Sequence, residues 1–277
     1  MREVDVDAAA NSEASERSPE FVEALAKGIT ILESFNSAHP EMTLSEVARM
    51  VGLSPAAARR SLLTLQALGY VGQTHRRFHL KPKVMALGSA LYFSVGIGDV
   101  LQPDLRELVE QFGDASSIGT LDDEHVIYVA HNSVQRARRA AATVGARYPA
   151  FATSLGRVLL AGLPDERLDA YFRKVRPFSL TSMTITNAKE LRRLVLKVRE
   201  LGYSTTVDQL DYGITAISVP IRGPDGKTVA ALNSSGYTGL ISPENLVNER
   251  LPALRAAASR IGHSLTRYPV LQTVMGG

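Results

Sequence analysis

The stretch Thr43–Gly69, TLSEVARMVGLSPAAARRSLLTLQALG, decides how this chain is read. Thr43 followed three residues later by Glu46 is a capping box: the hydroxyl takes one orphan amide of a helix start and the carboxylate reaches back to another. A helix therefore begins at Leu44, with Leu44, Val47, Ala48 and Val51 on one face, and Gly52 supplies the left-handed conformation that ends it. After the turn Gly52-Leu53-Ser54, Ser54 caps a second helix whose first position is Pro55, where a missing amide is harmless. Ala58, Leu62, Leu65 and Leu68 recur there at core spacing. That phase turns Ala56, Arg59 and Arg60 outward, with Ser61 and Thr64 on the flank. Small residues and two arginines at a helix N-terminus suit a DNA major groove, so Ser54, Ala56, Arg59, Arg60 and Thr64 form the candidate base-reading surface. An ordinary helical hairpin with solvated arginines has the same spacing. The next segment separates the two readings.

Tyr70-Val71-Gly72-Gln73 and Phe78-His79-Leu80 read as short strands around the basic tip Thr74-His75-Arg76-Arg77. Helix, turn, helix and basic hairpin in that order make a winged helix-turn-helix, which binds double-stranded operator DNA. Arg76 and Arg77 are expected along the phosphate backbone, adding affinity with little base discrimination.

A chain of 277 residues exceeds the usual size of one core and suggests about two domains. No stretch approaches the roughly 20 apolar residues of a membrane span, and the polar, acidic start is unlike a signal peptide. The expectation is a soluble, cytoplasmic protein without a membrane partner. Absence of cysteine excludes disulfides, thiolate metal sites and a cysteine nucleophile. A net charge of +3 is too small to imply nucleic acid, but the N-terminal tail is acidic while 49–77 is strongly basic.

Residues 1–17 are polar and expected to be disordered. Ser18-Pro19-Glu20 opens a helix with Phe21, Leu25, Ile29, Leu32 and Phe35 on one stripe as far as Asn36, completing a DNA-binding domain over 18–81. Residues 82–113 read as linker helices. The first carries Val84, Leu87, Leu91 and Val95 and breaks at Gly96-Ile97-Gly98; the second is capped by Asp99, carries Leu101, Leu105, Leu108 and Phe112, and stops at Gly113. A connector this apolar needs cover, either as a dimer contact that transmits signals or by packing within the chain.

From 114 to 268 the pattern is α+β. Ser116–Leu121 and His125–His131 form a hairpin around Asp122-Asp123-Glu124, and Ala140–Val144 reads as another strand. The segment Ala152–Ala161 begins a helix, and Asn187 with Glu190 caps another over Leu191–Leu201, ended by Gly202. Strands follow at Tyr203–Asp208 and Thr215–Ile221, and a Pro224-Asp225-Gly226 turn joins the latter to Thr228–Ser235. Ser242-Pro243-Glu244 opens a last helical region to about Arg267, with a kink at Pro252. Residues 269–277 are a tail.

The winged helix together with RYPAFATSLGRVLLAG (Arg147–Gly162), VRELGYSTTVDQ (Val198–Gln209) and GITAISVPIRGPDGKTVAALNSSG (Gly213–Gly236) resembles the IclR family of bacterial transcriptional regulators. The likeness covers nearly all of Phe21–Arg267. It implies a winged helix, a linker helix and a C-terminal effector domain similar to GAF and PAS domains, in a homodimer or dimer of dimers. TSLGRVLLA with VAALNSSG is most similar to the branch regulating aromatic-acid catabolism through the β-ketoadipate pathway, the protocatechuate and 4-hydroxybenzoate regulators. The family's effector contacts carry over to Ser154, Leu155 and Gly156 at a helix start, and to Asp208, Ser218, Asn233 and Ser235 on strands. A helix N-terminus can hold a carboxylate on its unpaired amides, and the strand residues can meet ligand hydroxyls. Ser154 as a mere cap and Asp208 as a mere turn closer are the plainer alternatives, whereas a buried Asn233 amide needs partners. Two departures stand out: Ala56-Ala57 replaces the usual Ser-Thr pair, and Asp208-Gln209-Leu210-Asp211 replaces a run with paired acids.

An enzyme is disfavoured, since no stretch supplies a serine elbow or a histidine–acid pair near Ser154, and no cofactor is implied. The alternative sensors are one for a non-aromatic small organic acid and one for a metal ion. The metal version would use His125, His131 and Asp122 or Asp123, on a hairpin where such residues are usually solvated. A C-terminal domain that only oligomerises is the third reading.

Overall fold

The computed structural model describes residues 18–36, 38–94, 96–134, 142–268 and 270–271. The chain divides into two compact units, Met1–Ser89 and Ala90–Gly277.

The N-terminal unit is built from helices α1 (Glu23–Ser34), α2 (Leu44–Met50) and α3 (Pro55–Ala67) and strands β1 (Glu41–Thr43), β2 (Val71–Thr74) and β3 (Arg77–Leu80). The capping box at Thr43 is closed on both sides: the Thr43 amide donates to Glu46 Oε2 at 2.7 Å and the Glu46 amide to Thr43 Oγ1 at 3.3 Å. Gly52 takes φ 64°, and Ser54 Oγ accepts from the Ala57 amide at 3.3 Å, so α2 begins and ends, and α3 begins, where the sequence predicts. Val47, Leu62 and Leu65 then meet Ile31, Phe35 and Phe78 in one core.

Three features differ from the expectation. Helix α1 starts at Glu23, and its buried residues are Ile31 and the adjacent Phe35; Phe21, Leu25 and Ile29 of the expected stripe are exposed. Leu68 is 53% exposed, because α3 ends at Ala67 before that position can turn inward. The wing also has a third strand, with β1 pairing antiparallel to β3 in the order β1-β3-β2. Three residues before a capping box carry too little alternation to announce a strand.

A 3-10 turn at Pro82–Val84 leads into α4 (Met85–Ser94). The Lys83 ammonium donates to the Leu68 carbonyl at 2.8 Å and lies 4.9 Å from the Tyr70 ring centre, tying the turn to the end of α3. Met85, Leu87 and Leu91 are exposed, and Val95 lies outside the described residues. Helix α5 (Ile97–Phe112) is capped by Gly96 in the left-handed conformation, φ 67°, three residues earlier than Asp99, which sits in the first turn where a carboxylate favours the helix dipole.

The C-terminal unit is a six-stranded antiparallel sheet. Its strands are β4 (Ala115–Asp122), β5 (His125–Ser133), β6 (Arg147–Pro149), β7 (Ser204–Val207), β8 (Ile214–Arg222) and β9 (Thr228–Tyr237), in the order β6-β5-β4-β9-β8-β7. Of the expected strand Ala140–Val144, residues 142–144 are irregular and the rest lies outside the described residues; the pairing falls instead to β6. One face, with Ile118, Ala130, Ile217 and Leu232, packs on α5 and on α9 (Leu251–Leu265). The opposite face, with Val126, Tyr128 and Ala231, packs on α6 (Ser154–Ala161), α7 (Asp165–Lys174) and α8 (Ala188–Leu201). Helix α7, with only Leu168 and Tyr171 buried, was too polar to stand out in the sequence. Pro252 sits in the first turn of α9, and the irregularity expected there takes the form of a π-helical turn at Leu246–Arg250.

Candidate functional site

In the N-terminal unit the phase of α3 leaves Ser54, Ala56, Arg59, Arg60 and Thr64 exposed together, while Ala58, Leu62 and Leu65 are buried. Among the described residues neither Arg59, Arg60 nor Arg76 takes part in an ion pair or side-chain hydrogen bond, so their charges are available to a polyanion. Arg77 differs. It lies in β3 rather than at the tip, with Nε 3.5 Å from Glu41 Oε1 and Nη1 3.5 Å from Glu46 Oε2. The tip is His75, at φ 53°, followed by Arg76. Gly72 permits the wing's tight packing, since a Cβ there would come within 2.5 Å of the His79 ring.

In the C-terminal unit four strand pairings place His131, Ser117, Asn233, Ser218 and Ser204 in one row across β5, β4, β9, β8 and β7. Ser218 belongs to the α6 face, because its hydroxyl donates to Ser154 Oγ at 2.7 Å. The first three members are hydrogen-bonded through their side chains: Asn233 Oδ1 accepts from the Ser117 amide at 2.7 Å, and Ser117 Oγ lies 2.9 Å from His131 Nδ1. One step along the strands, Ser235, Ala216 and Thr206 form a parallel row of small residues. Ser117, Ser204, Ser218, Asn233 and Ser235 are all buried. Buried polar side chains cluster this way on a sheet face where something other than aliphatic packing is accommodated.

Above the rows lies the start of α6. Its cap is Thr153, whose Oγ1 accepts from the Gly156 amide at 2.9 Å, so Ser154 is the first helical residue and not the cap. Gly156 is required by packing: a Cβ would come within 2.1 Å of the Ala150 carbonyl oxygen. The structure thus brings Ser154, Leu155, Gly156, Ser218, Asn233 and Ser235 to one face.

Asp208 stands apart, four residues beyond Ser204 and so about 13 Å along the strand direction. It adopts φ 51°, and its Oδ1 accepts from the Gly213 amide and from Thr238 Oγ1, each at 2.7 Å. The carboxylate closes the β7–β8 turn. Segment 175–187 is pinned there, with Thr181 Oγ1 donating to the Asp208 carbonyl at 2.5 Å and Thr184 Oγ1 to the Gln209 carbonyl at 2.8 Å.

Sequence reasoning did not place Ser117, Ser204 or Arg157 in the site and named His131 only as a possible metal ligand; Ser117, His131 and Ser204 join the row only through strand register, and Arg157 is 3% exposed. A register shift between Ile118 and Gly119 also breaks the two-residue alternation of β5, so six-residue spacing does not put His125 and His131 on one face. Both His131 nitrogens lie near serines, Nδ1 at Ser117 and Nε2 3.2 Å from Ser133 Oγ. Among the described residues no three potential metal-ligating side chains cluster.

A family model for the IclR helix-turn-helix domain matches residues 24–75, and one for the bacterial transcriptional regulator IclR C-terminal domain matches 90–263. The chain belongs to the IclR family. Among IclR relatives, the Pca regulon regulatory protein of Pseudomonas putida is 32% identical over 89% of this chain and 85% of its own length. The p-hydroxybenzoate hydroxylase transcriptional activator of Acinetobacter baylyi is 32% identical over 88% and 92%. A solved transcriptional regulator from Rhodococcus is 41% identical, covering 89% of this chain and 99% of that one at TM-score 0.74. The inducer-binding domain of a PobR double mutant from Acinetobacter, solved with 3-hydroxybenzoic acid, is 33% identical over 59% of this chain and 96% of its own, at TM-score 0.56. These IclR relatives are transcriptional regulators, not enzymes. No helix among the described residues is long and apolar enough to cross a membrane.

Proposed function

We propose that this IclR protein is a cytoplasmic, ligand-responsive regulator that binds operator DNA as a homodimer or dimer of dimers and senses a small aromatic hydroxy acid to control a catabolic operon. The observation that carries the effector half is the buried polar row Ser117–Asn233–Ser218–Ser204 facing the start of α6. Helix-start amides at Ser154 and Leu155 hold the carboxylate, since the first amides of a helix have no intrahelical acceptor. Ser218 and Asn233 meet ring hydroxyls, and the small side chains of Ser235 and Ala216 leave width for a flat ring. Asp208 fixes the rim through the turn it closes. The regulators of protocatechuate and p-hydroxybenzoate catabolism among the Acinetobacter and Pseudomonas relatives, and the 3-hydroxybenzoic acid bound by the PobR domain, support this ligand class.

On the DNA side, Arg59 and Arg60 read bases from α3 with Ser54, Ala56 and Thr64 beside them, and Arg76 lies on phosphate. Arg77, held by Glu41 and Glu46, adds less charge to the backbone. The exposed apolar residues Phe21, Leu25 and Ile29 of the first helical segment and Met85 and Leu87 of α4 supply surface for the second copy that a genomic site requires. Anisotropy with DNA from the chain's own promoter, with and without 4-hydroxybenzoate, tests the reading. Expected is a change in operator affinity of about fivefold or more. Unchanged affinity with every hydroxybenzoate defeats it.

A further inference from the structure

Arg157 is a cation in the wrong surroundings for a structural residue. It sits in α6 three residues after Ser154, 3% exposed, and among the described residues no carboxylate forms an ion pair with it. Its partners are neutral acceptors: Nε donates to the Phe151 carbonyl at 3.2 Å and Nη2 to Gln209 Oε1. Glu190 favours its charge, but from beyond ion-pair distance. Burial pushes the guanidinium down to about 10, so it stays charged at neutral pH. The Tyr171 hydroxyl, which also interacts electrostatically with Arg157, is buried and has no hydrogen-bond partner among the described residues. A buried cation and a buried, unpartnered hydroxyl therefore share one neighbourhood, and among the described residues no carboxylate lies within ion-pair distance of the cation.

Removing an arginine from water without a counter-charge is strongly unfavourable even after the protein relaxes. The side chain folds back toward the start of its helix, as helical side chains do, so its charge and the helix-start amides lie at the same end of α6. We infer that Arg157 is the specificity-determining residue of the effector site, the fixed cation that makes it select a carboxylate over a neutral ring of the same shape. Phe151 and Gln209 hold the guanidinium in place, and the counter-charge arrives with the ligand. Gln209 also accepts from Thr184, so the same residue links the cation to segment 175–187.

The inference rests on the hydroxybenzoate reading of this site, and the test separates the two. Affinities of the full-length protein for 4-hydroxybenzoate and for 4-hydroxybenzamide are measured by calorimetry, and their ratio is the readout. Wild type should prefer the acid by about 10- to 100-fold, the range for a charged hydrogen-bonding partner. Arg157→Met should bring the ratio to within about threefold of unity, and Arg157→Lys, which keeps the charge, should retain most of the preference. If the Met variant does not fold, Arg157→Gln, which can still donate to the Phe151 carbonyl, is read the same way. A merely structural arginine would weaken both ligands together and leave the ratio unchanged, overturning the inference. Equal binding of acid and amide by wild type overturns it without any variant. Wild type that binds neither ligand overturns the hydroxybenzoate reading itself.

Discussion

In the C-terminal unit two arginines are buried on opposite faces of one sheet, and their surroundings differ in the one respect that matters. Arg250 is 5% exposed, with Nη2 2.7 Å from Asp114 Oδ2, Nη1 donating to Ser234 Oγ at 2.9 Å, and the Phe112 ring centre 5.1 Å away. Arg157 is equally buried, but its hydrogen-bond partners are a carbonyl and an amide, and among the described residues no carboxylate lies within ion-pair distance. A neutralised buried charge is a clamp, here between the end of α5 and β9; the unneutralised one is the charge we propose meets the effector. The N-terminal unit completes the series. Arg59, Arg60 and Arg76 are exposed and unpaired, while Arg77 is exposed and paired. Available charge, not arginine count, distinguishes the residues expected to meet a ligand or DNA from those that hold the fold.

The largest effect is expected at the clamp. Asp114→Ala strands Arg250 in the interior, which should destabilise the protein by about 3–5 kcal/mol and lower Tm by roughly 10 °C. Arg157→Met removes a charge instead of stranding one and should lower Tm by less. Thermal denaturation of the two variants side by side breaks the comparison if their order reverses.

Next in size, Arg60→Ala should remove about 1–3 kcal/mol of discrimination between the operator and a site with one base pair changed. Full retention of that preference, measured across salt concentrations, contradicts a base-reading role. Arg76→Ala should weaken all DNA sequences alike and reduce the logarithmic salt slope by about 1, with a smaller reduction for Arg77→Ala because its charge is already paired. Equal slopes for the two variants erase the distinction between available and engaged arginines.

The smallest effect concerns Glu46, which also holds Arg77. Hydrogen bonds from the Thr43 backbone and side chain hold its carboxyl below the ordinary 4.5. Because the folded value is depressed, its contribution is complete above 4.5 and is lost as pH falls through the folded value. Stability of wild type should therefore decline more steeply with acidification in that window than that of Glu46→Gln. Parallel declines would show that the capping box is not titrating.

The DNA-binding half was legible because its signals are local. Thr43 with Glu46, Gly52, and Ser54 with Pro55 each fix a helix end within a few residues, and the structure places all of them as read. Helix α1 was misphased because exposed apolar residues on a single helix look like a core stripe. On the effector side, the face shared by Ser154, Ser218, Asn233 and Ser235 came from the family resemblance, with strand alternation in agreement. The row that includes Ser117, His131 and Ser204 was not readable, since register across five strands and the β4–β5 irregularity are long-range properties. Arg157 was hidden for a related reason: a basic residue in a short helix reads as solvated unless α8 and segment 175–187 are known to cover it.

The most direct test of the effector site is calorimetric titration of the full-length protein with 4-hydroxybenzoate, in wild type and in Ser218→Ala. Ser218 is fully buried in the row beside Asn233 and bonds the first residue of α6, so it belongs to the site from both sides. The account predicts saturable binding by wild type and an affinity about five- to tenfold lower in the variant, the loss expected for one buried hydrogen bond. Undiminished affinity in Ser218→Ala, or no binding of any hydroxybenzoate by wild type, would contradict it.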